Sequence, residues 1–186
     1  FISNKVRSTQ NNCVVQFLTA QESNAQIASL QQARSYLFNR CNFKAYLNGV
    51  SIYGFDGRIC TYGITTPYDE VSQTEWFSQI QSGQADVVYL TPHAYTSKQP
   101  SPKSSYVFSI VRPVLNNGTI IGVIKADVKS SLLETIFDIQ EMQGYALYVF
   151  DRDTGEAVYV PEGADTLPLT RFQDSVPRGH GSYTDQ

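Results

Sequence analysis

Histidine, methionine and tryptophan are nearly missing from this chain, which holds two, one and one of them. Only His93 and His180 could serve as imidazole ligands or bases, and neither lies near a metal-ligand or nucleophile pattern. There is no Gly-x-Ser-x-Gly elbow, no His-Glu-x-x-His helix and no Walker loop. The expectation is therefore of no catalytic residue, no metal and no cofactor in this region, with a small hydrolase as the weakest alternative. The three cysteines, Cys13, Cys41 and Cys60, are odd in number and widely spaced, which implies neither a disulfide framework nor a zinc site. They read as small buried hydrophobes. No run of Lys or Arg occurs, and the net charge is -3, so nucleic acid is not an expected partner. No apolar run approaches the roughly 18 residues of a membrane-spanning helix. The polar opening FISNKVRSTQNN is not a signal peptide.

The chain is rich instead in tyrosine and phenylalanine, twelve and ten of 186 residues. That suits a β-rich domain with amphipathic pocket walls. Its strongest local signal is SYVFSIVRPVLNNGTIIGVIKADVKSSLLETIF, residues 105–137, which reads as two long strands, a tight turn and a helix. Asn117 and Gly118 supply the turn, since both tolerate the positive φ of a two-residue hairpin loop. With them at the tip, Phe108 faces Asp127, Ile110 faces Lys125, Arg112 faces Val123 and Val114 faces Ile121. Cross-strand partners share a face. One face then carries Tyr106, Phe108, Ile110, Arg112, Val114, Ile121, Val123, Lys125 and Asp127. The other carries Val107, Ser109, Val111, Leu115, Ile120, Gly122, Ile124, Ala126 and Val128, small and apolar enough to lie against a helix. A β-bulge would shift this register by one and swap the faces. Arg112, Lys125 and Asp127 either pair with one another at the sheet surface, or the face walls a cavity with Asp127 directed into it. A buried carboxylate needs a ligand ammonium or hydroxyl, a water, or a cation such as Arg112 or Lys125.

From Phe1 to about Phe43 there is no Pro or Gly, and Ile27, Leu30, Leu37 and Cys41 recur at helical spacing, flanked by Ala33, Arg34 and Phe38. The helix breaks near Thr19 to Glu22 and restarts at a Ser23–Gln26 capping box. Asp56-Gly57 then turns a short hairpin, Val50 to Tyr62. Ser72 and Glu75 form a capping box for a helix through Trp76, Phe77 and Ile80 that stops at Gly83. A strand over residues 85–90, a proline-bearing loop over 91–104 and the central hairpin follow. Ser131 with Glu134 caps a helix ending near Gly144. From Tyr145 the pattern restarts: Phe150-Asp151, Gly155 and Val158-Tyr159 echo Phe55-Asp56 and its hairpin, an incomplete internal repeat. Asn117-Gly118-Thr119 fits a glycosylation sequon and Asp151 to Gly155 has a calcium-loop flavour, but turn chemistry explains both.

These elements give an α+β fold: a long N-terminal helix packed on a five-stranded antiparallel, PAS-like sheet, followed by the start of a second, smaller PAS-like module. The boundaries are 1–45 for the helical segment, 46–144 for the first module and 145–186 for the partial second. The N-terminal helix with IYGFDGRICTYG, EWFSQI, YVFSIVRPVLNNGTIIGVIKADV and LYVFDRDTGEAVY resembles the double Cache domain, an extracytoplasmic ligand-sensing module of bacterial receptors. The resemblance implies a membrane-distal module that binds a small polar molecule, placed on the extracytoplasmic face of the cell membrane. Membrane attachment would run only through flanking helices absent from this sequence. The texture is most similar to sensor histidine kinases of Gram-positive bacteria. A chemoreceptor, a diguanylate cyclase or a ligand-free module dimerising through the N-terminal helix are the alternatives. By resemblance, the ligand-binding candidates are Asp127, Trp76 and Phe77, with Thr74 where a carboxylate-clamping Arg would stand. Tyr89 and Tyr95 compete for a further aromatic position, and Phe108 and Arg112 join from the expected Asp127 face. A Thr hydroxyl cannot give the charged, bidentate grip of a guanidinium, which counts against a generic α-amino acid ligand.

Overall fold

The computed structural model describes residues 13–64, 66–94, 106–137, 148–150 and 157–160. Expectations for residues 1–12, Tyr95, the rest of the 91–104 loop, the end of the helix toward Gly144 and the tail after 160 lie outside the described residues. Two helices open the described chain, α1 (Cys13–Thr19) and α2 (Ser23–Cys41). Strands β1 (Leu47–Gly54) and β2 (Ile59–Gly63), helices α3 (Tyr68–Val71) and α4 (Glu75–Gln81), and strands β3 (Val88–Ala94), β4 (Tyr106–Asn116) and β5 (Thr119–Lys129) follow. Helix α5 (Leu132–Ile136) leads to a two-stranded ribbon, β6 (Val149–Phe150) against β7 (Ala157–Tyr159).

The first five strands form one antiparallel sheet in the order β2-β1-β5-β4-β3, so the long hairpin lies at its centre. Asn117 and Gly118 adopt φ of 49° and 86°, the paired left-handed conformation that a two-residue turn requires. The expected α+β arrangement of N-terminal helices on a five-stranded sheet is therefore present.

The hairpin register holds only at its tip. Asn116 pairs with Thr119 and Leu115 with Ile120, but Val114 pairs with Gly122 and leaves Ile121 as an extra residue. Beyond this bulge every partner differs from the turn-derived expectation: Arg112 meets Ile124, Ile110 meets Ala126, Ser109 meets Asp127 and Phe108 meets Val128. From Gly122 onward β5 keeps its expected faces relative to α1 and α2, while Ile120, Ile121 and the residues of β4 change sides. The cause is the single residue inserted on one strand, because side chains alternate with a period of two.

One sheet face packs under α1 and α2. Val50, Ile52, Cys60, Val114, Ile124 and Ala126 from the strands meet Val14, Phe17, Leu18, Ala33 and Leu37 from the helices. The α2 stripe is rotated from the expected one, since Ser29, Ala33, Leu37 and Cys41 are buried while Ile27 and Phe38 are exposed. Leu18 sits where two glycines face each other across β1 and β5. Side chains at Gly54 and Gly122 would each come within 3.0 Å of a Leu18 methyl, and at Gly122 the Tyr53 carbonyl would lie only 2.5 Å away. Arg58 fixes the end of α1 by donating from Nη1 to the Phe17 carbonyl at 2.9 Å, its Nε held by Asp56 at 2.8 Å. That places a cation on the carbonyl end of a helix, its favoured location.

The helix caps are simpler than expected. Neither α2, α4 nor α5 has a side-chain cap at its N-terminus. Ser72 closes α3, its Oγ donating to the Asp69 carbonyl, and α4 begins at Glu75 after Thr74. Edge strand β3 runs to Ala94, past the expected end at Leu90, and carries Pro92, a residue that sheets admit at their edges.

Cys41 and Cys60 are buried, and loss of solvation raises both thiols; for Cys60 the rise reaches about 11. Below the unfolded thiol value of 9.0 this protonated thiol leaves stability unaffected by pH, and stability falls as pH rises from there through the folded value. Urea titrations between pH 8 and 11, which bracket that span, are expected to show a steeper alkaline loss in the wild type than in Cys60→Val.

Candidate functional site

The second sheet face departs from the apolar pattern. Tyr53, Val111 and Val123 pack with Val71, Phe77 and Ile80, so α3 and α4 cover this side, with Trp76 and Phe55 at the margin. Phe77 meets Phe55, Tyr68 and Trp76 edge-on, at centroid separations of 5.5, 6.0 and 5.8 Å. Lys125 and Asp127 follow Val123 along β5 at intervals of two, so they share its face. Both are buried, at 3% and 2% relative exposure.

Within that face the polar groups satisfy one another. Lys125 Nζ forms an ion pair with Asp127 Oδ1. Ser109 Oγ donates to the same carboxylate oxygen at 2.5 Å, and His93 Nε2 lies 3.3 Å from Ser109 Oγ. Ser51, which pairs with Lys125 across β1, is also buried. Tyr53, paired with Val123, directs its hydroxyl to the Thr66 carbonyl at 2.8 Å. A half-buried imidazole, a hydroxyl, a carboxylate and an ammonium therefore form one connected line across β3, β4 and β5. Desolvated charges are retained only where such partners exist.

Of the eight residues expected at the site, Tyr95 lies outside the described residues and the other seven separate by position. Asp127 is buried on the same sheet face as Val123, and Phe77, buried, and Trp76, half-buried, belong to the aromatic group that packs on Val111 and Val123 farther along that face. Thr74 precedes α4 and donates its hydroxyl to the Val71 carbonyl at 2.7 Å. The bulge puts Phe108 and Arg112 on the helix-facing side of the sheet, paired with Val128 and Ile124. This corrects their expected sharing of a face with Asp127. Tyr89, paired with Ile110, is on that side too and is 68% exposed. Arg112 keeps a buried Nε for which no hydrogen-bond partner exists among the described residues. Of the two cations offered for Asp127, Lys125 makes the pair.

Ser109 and His93 were not singled out. Allowing the bulge would have named Ser109, because a shift of one residue makes it the direct cross-strand partner of Asp127. His93 carried no pattern in sequence; its place depends on a register shift in β3 between Leu90 and His93.

No protein-family model matches this sequence, and no curated protein matches it significantly. Solved structures do match. The ligand-binding domain of the Pseudomonas aeruginosa amino acid chemoreceptor PctC, solved with GABA, aligns at a TM-score of 0.50 and 16% identity. The alignment covers 80% of this chain and 61% of that one. The ligand-binding domain of the Campylobacter jejuni chemoreceptor Tlp3, solved with L-norvaline, aligns at 0.53 and 11% identity, over 89% of this chain and 67% of that one. Its complex with L-valine aligns at 0.53 and 11% identity, over 89% and 69%. This chain thus spans about 61% of the length of the first of these domains. The similarity is one of fold: a Cache-like α+β architecture shared with these chemoreceptor ligand-binding domains.

Removing one member of a buried pair strands the other, at a cost of about 3–5 kcal/mol. Lys125→Met alone and Asp127→Leu alone are expected to lose about that much in urea unfolding. The double variant should lose far less than the sum, because no charge remains unpaired. A coupling energy near zero in this cycle would mean the pair does not form in solution.

Proposed function

We propose that this chain is the ligand-sensing portion of the extracytoplasmic region of a bacterial transmembrane receptor, with a small polar molecule bound on the Asp127 face. Residues 46–144 act as the membrane-distal module, residues 145–186 begin a membrane-proximal one, and residues 1–45 carry the change toward a membrane span. The reading is carried by one observation. The Asp127–Lys125–Ser109 group is desolvated on a sheet face whose neighbouring part, at Val111 and Val123, packs under the aromatic rings of α3 and α4. A well-packed apolar core would serve stability as well or better. Charged groups converging beside aromatic walls are what small-molecule sites contain.

The solved neighbours favour a chemoreceptor over the sensor histidine kinase that the sequence texture suggested, since those neighbours are chemoreceptor domains. Those neighbours are solved with GABA, L-norvaline and L-valine, so amino acids and GABA head the list of compounds to screen. For binding to signal, the ligand must favour one of two conformations. Among the described residues the two parts meet where Tyr159, buried on β7, donates its hydroxyl to Glu134 on α5.

A second reading has its own support. Ile27, Phe38 and Phe43, on and just after α2, are 59%, 54% and 90% exposed, which suits dimerisation through the N-terminal helix.

Thermal-shift screening of amino acids, GABA and other small polar metabolites, followed by calorimetry, is expected to yield a ligand. Its affinity should fall at least about tenfold in Asp127→Asn, the loss of roughly one charge-assisted hydrogen bond. A ligand indifferent to that change, or a screen without any, would count against the sensing role. In light scattering, an Ile27→Glu/Phe38→Glu variant is expected to shift a dimer to monomer, and a wild type monomeric at every concentration would defeat the second reading.

A further inference from the structure

Asp127 offers a seat for a primary ammonium: a desolvated carboxylate whose Oδ1 already accepts a bond from the Ser109 hydroxyl. Charge-assisted bonds of this kind are what hold small amine ligands. In this chain the seat is filled from within. Lys125 stands two residues before Asp127 on the same strand face, and its Nζ reaches the same Oδ1 that Ser109 bonds. Both side chains of the pair are nearly sealed from solvent, at 4% and 3% side-chain exposure.

We infer that Lys125 is a tethered occupant of the Asp127 cation seat, an internal competitor that a ligand's ammonium must displace. The inference rests on the ligand-sensing role proposed for this face. A simple amine gains nothing by entering the wild-type site, because displacing Lys125 strands its buried ammonium beside its cross-strand partner Val111 and its strand neighbour Val123. An entering ligand has to supply an acidic group for the displaced Lys125 as well as a cation for Asp127. Lys125 thereby sets selectivity without belonging to the ligand.

Removing the tether should open the seat to free amines. Urea and thermal unfolding of Lys125→Ala are measured with methylammonium chloride, with tetramethylammonium chloride at equal ionic strength as the control that cannot donate a hydrogen bond. Methylammonium at roughly ten times its Kd is expected to raise the melting temperature of Lys125→Ala by about 3–6 °C. The control salt should not. The wild type and the Lys125→Ala/Asp127→Asn double variant should respond to neither. No methylammonium-specific rise in Lys125→Ala, or an equal rise in the wild type or the double variant, overturns the inference. If Lys125→Ala does not fold unaided, it is refolded from urea by dilution. Recovery with methylammonium alone supports the tethered seat, and no recovery overturns it. A metabolite screen that finds no wild-type ligand would defeat the sensing role while leaving this rescue readable.

Discussion

A single extra residue in β5 decides what the centre of this molecule can do. Ile121 has no partner across the hairpin, and from Val114 onward β4 is displaced by one position against β5. Without that bulge Asp127 would face Phe108, and Arg112 would share its side of the sheet. With it, the carboxylate stands opposite a serine hydroxyl, and Val111 joins Val123 under α4. Bulges of this sort re-aim side chains at the cost of one ladder position. Here the re-aiming assembles the polar line from His93 to Lys125.

The two faces of the sheet consequently obey different rules. Under α1 and α2 the packing is apolar, and its stability follows from area removed from water. On the other face an apolar half, in which Tyr53 and Val123 pack with Phe77 under α3 and α4, adjoins a polar half with a fully formed ion pair. The polar half contributes specificity of arrangement more than net stability, since mutual attraction in the interior is largely offset by lost hydration. The ion pair can therefore be rearranged at little net cost only by a ligand that supplies a partner for each of its two charges, whereas the apolar face cannot be.

Much of the architecture was legible because local chemistry and global arrangement agree there. Asn117-Gly118 allows few turn conformations, and the positive φ of both residues realises the expected one. The break near Thr19, the hairpin at Asp56-Gly57 and the halt at Gly83 also follow from residues with few conformational choices. The face of Asp127 relative to α1 and α2 was legible from the alternation along β5 itself, since Ile124 and Ala126 turn to the helices and Asp127 alternates with them. What could not be read depends on tertiary competition. A bulge has no composition of its own, so Phe108 and Arg112 were assigned to the wrong side. Ser72 matched a capping pattern, but the chain spends it closing the preceding turn of α3. Ile27 fits the helical stripe of α2, yet the sheet selects the neighbouring stripe through Ser29, Ala33 and Leu37.

The glycine pair beneath Leu18 has a mechanical meaning. Where Gly54 and Gly122 oppose each other, the sheet presents bare backbone to the end of α1, and a single isopropyl group rests across two strands. The Arg58 guanidinium grips the same helix end. The contact between helix and sheet at this corner is thus a close seat, in which a methyl group added at either glycine would lift the end of α1 off the strands.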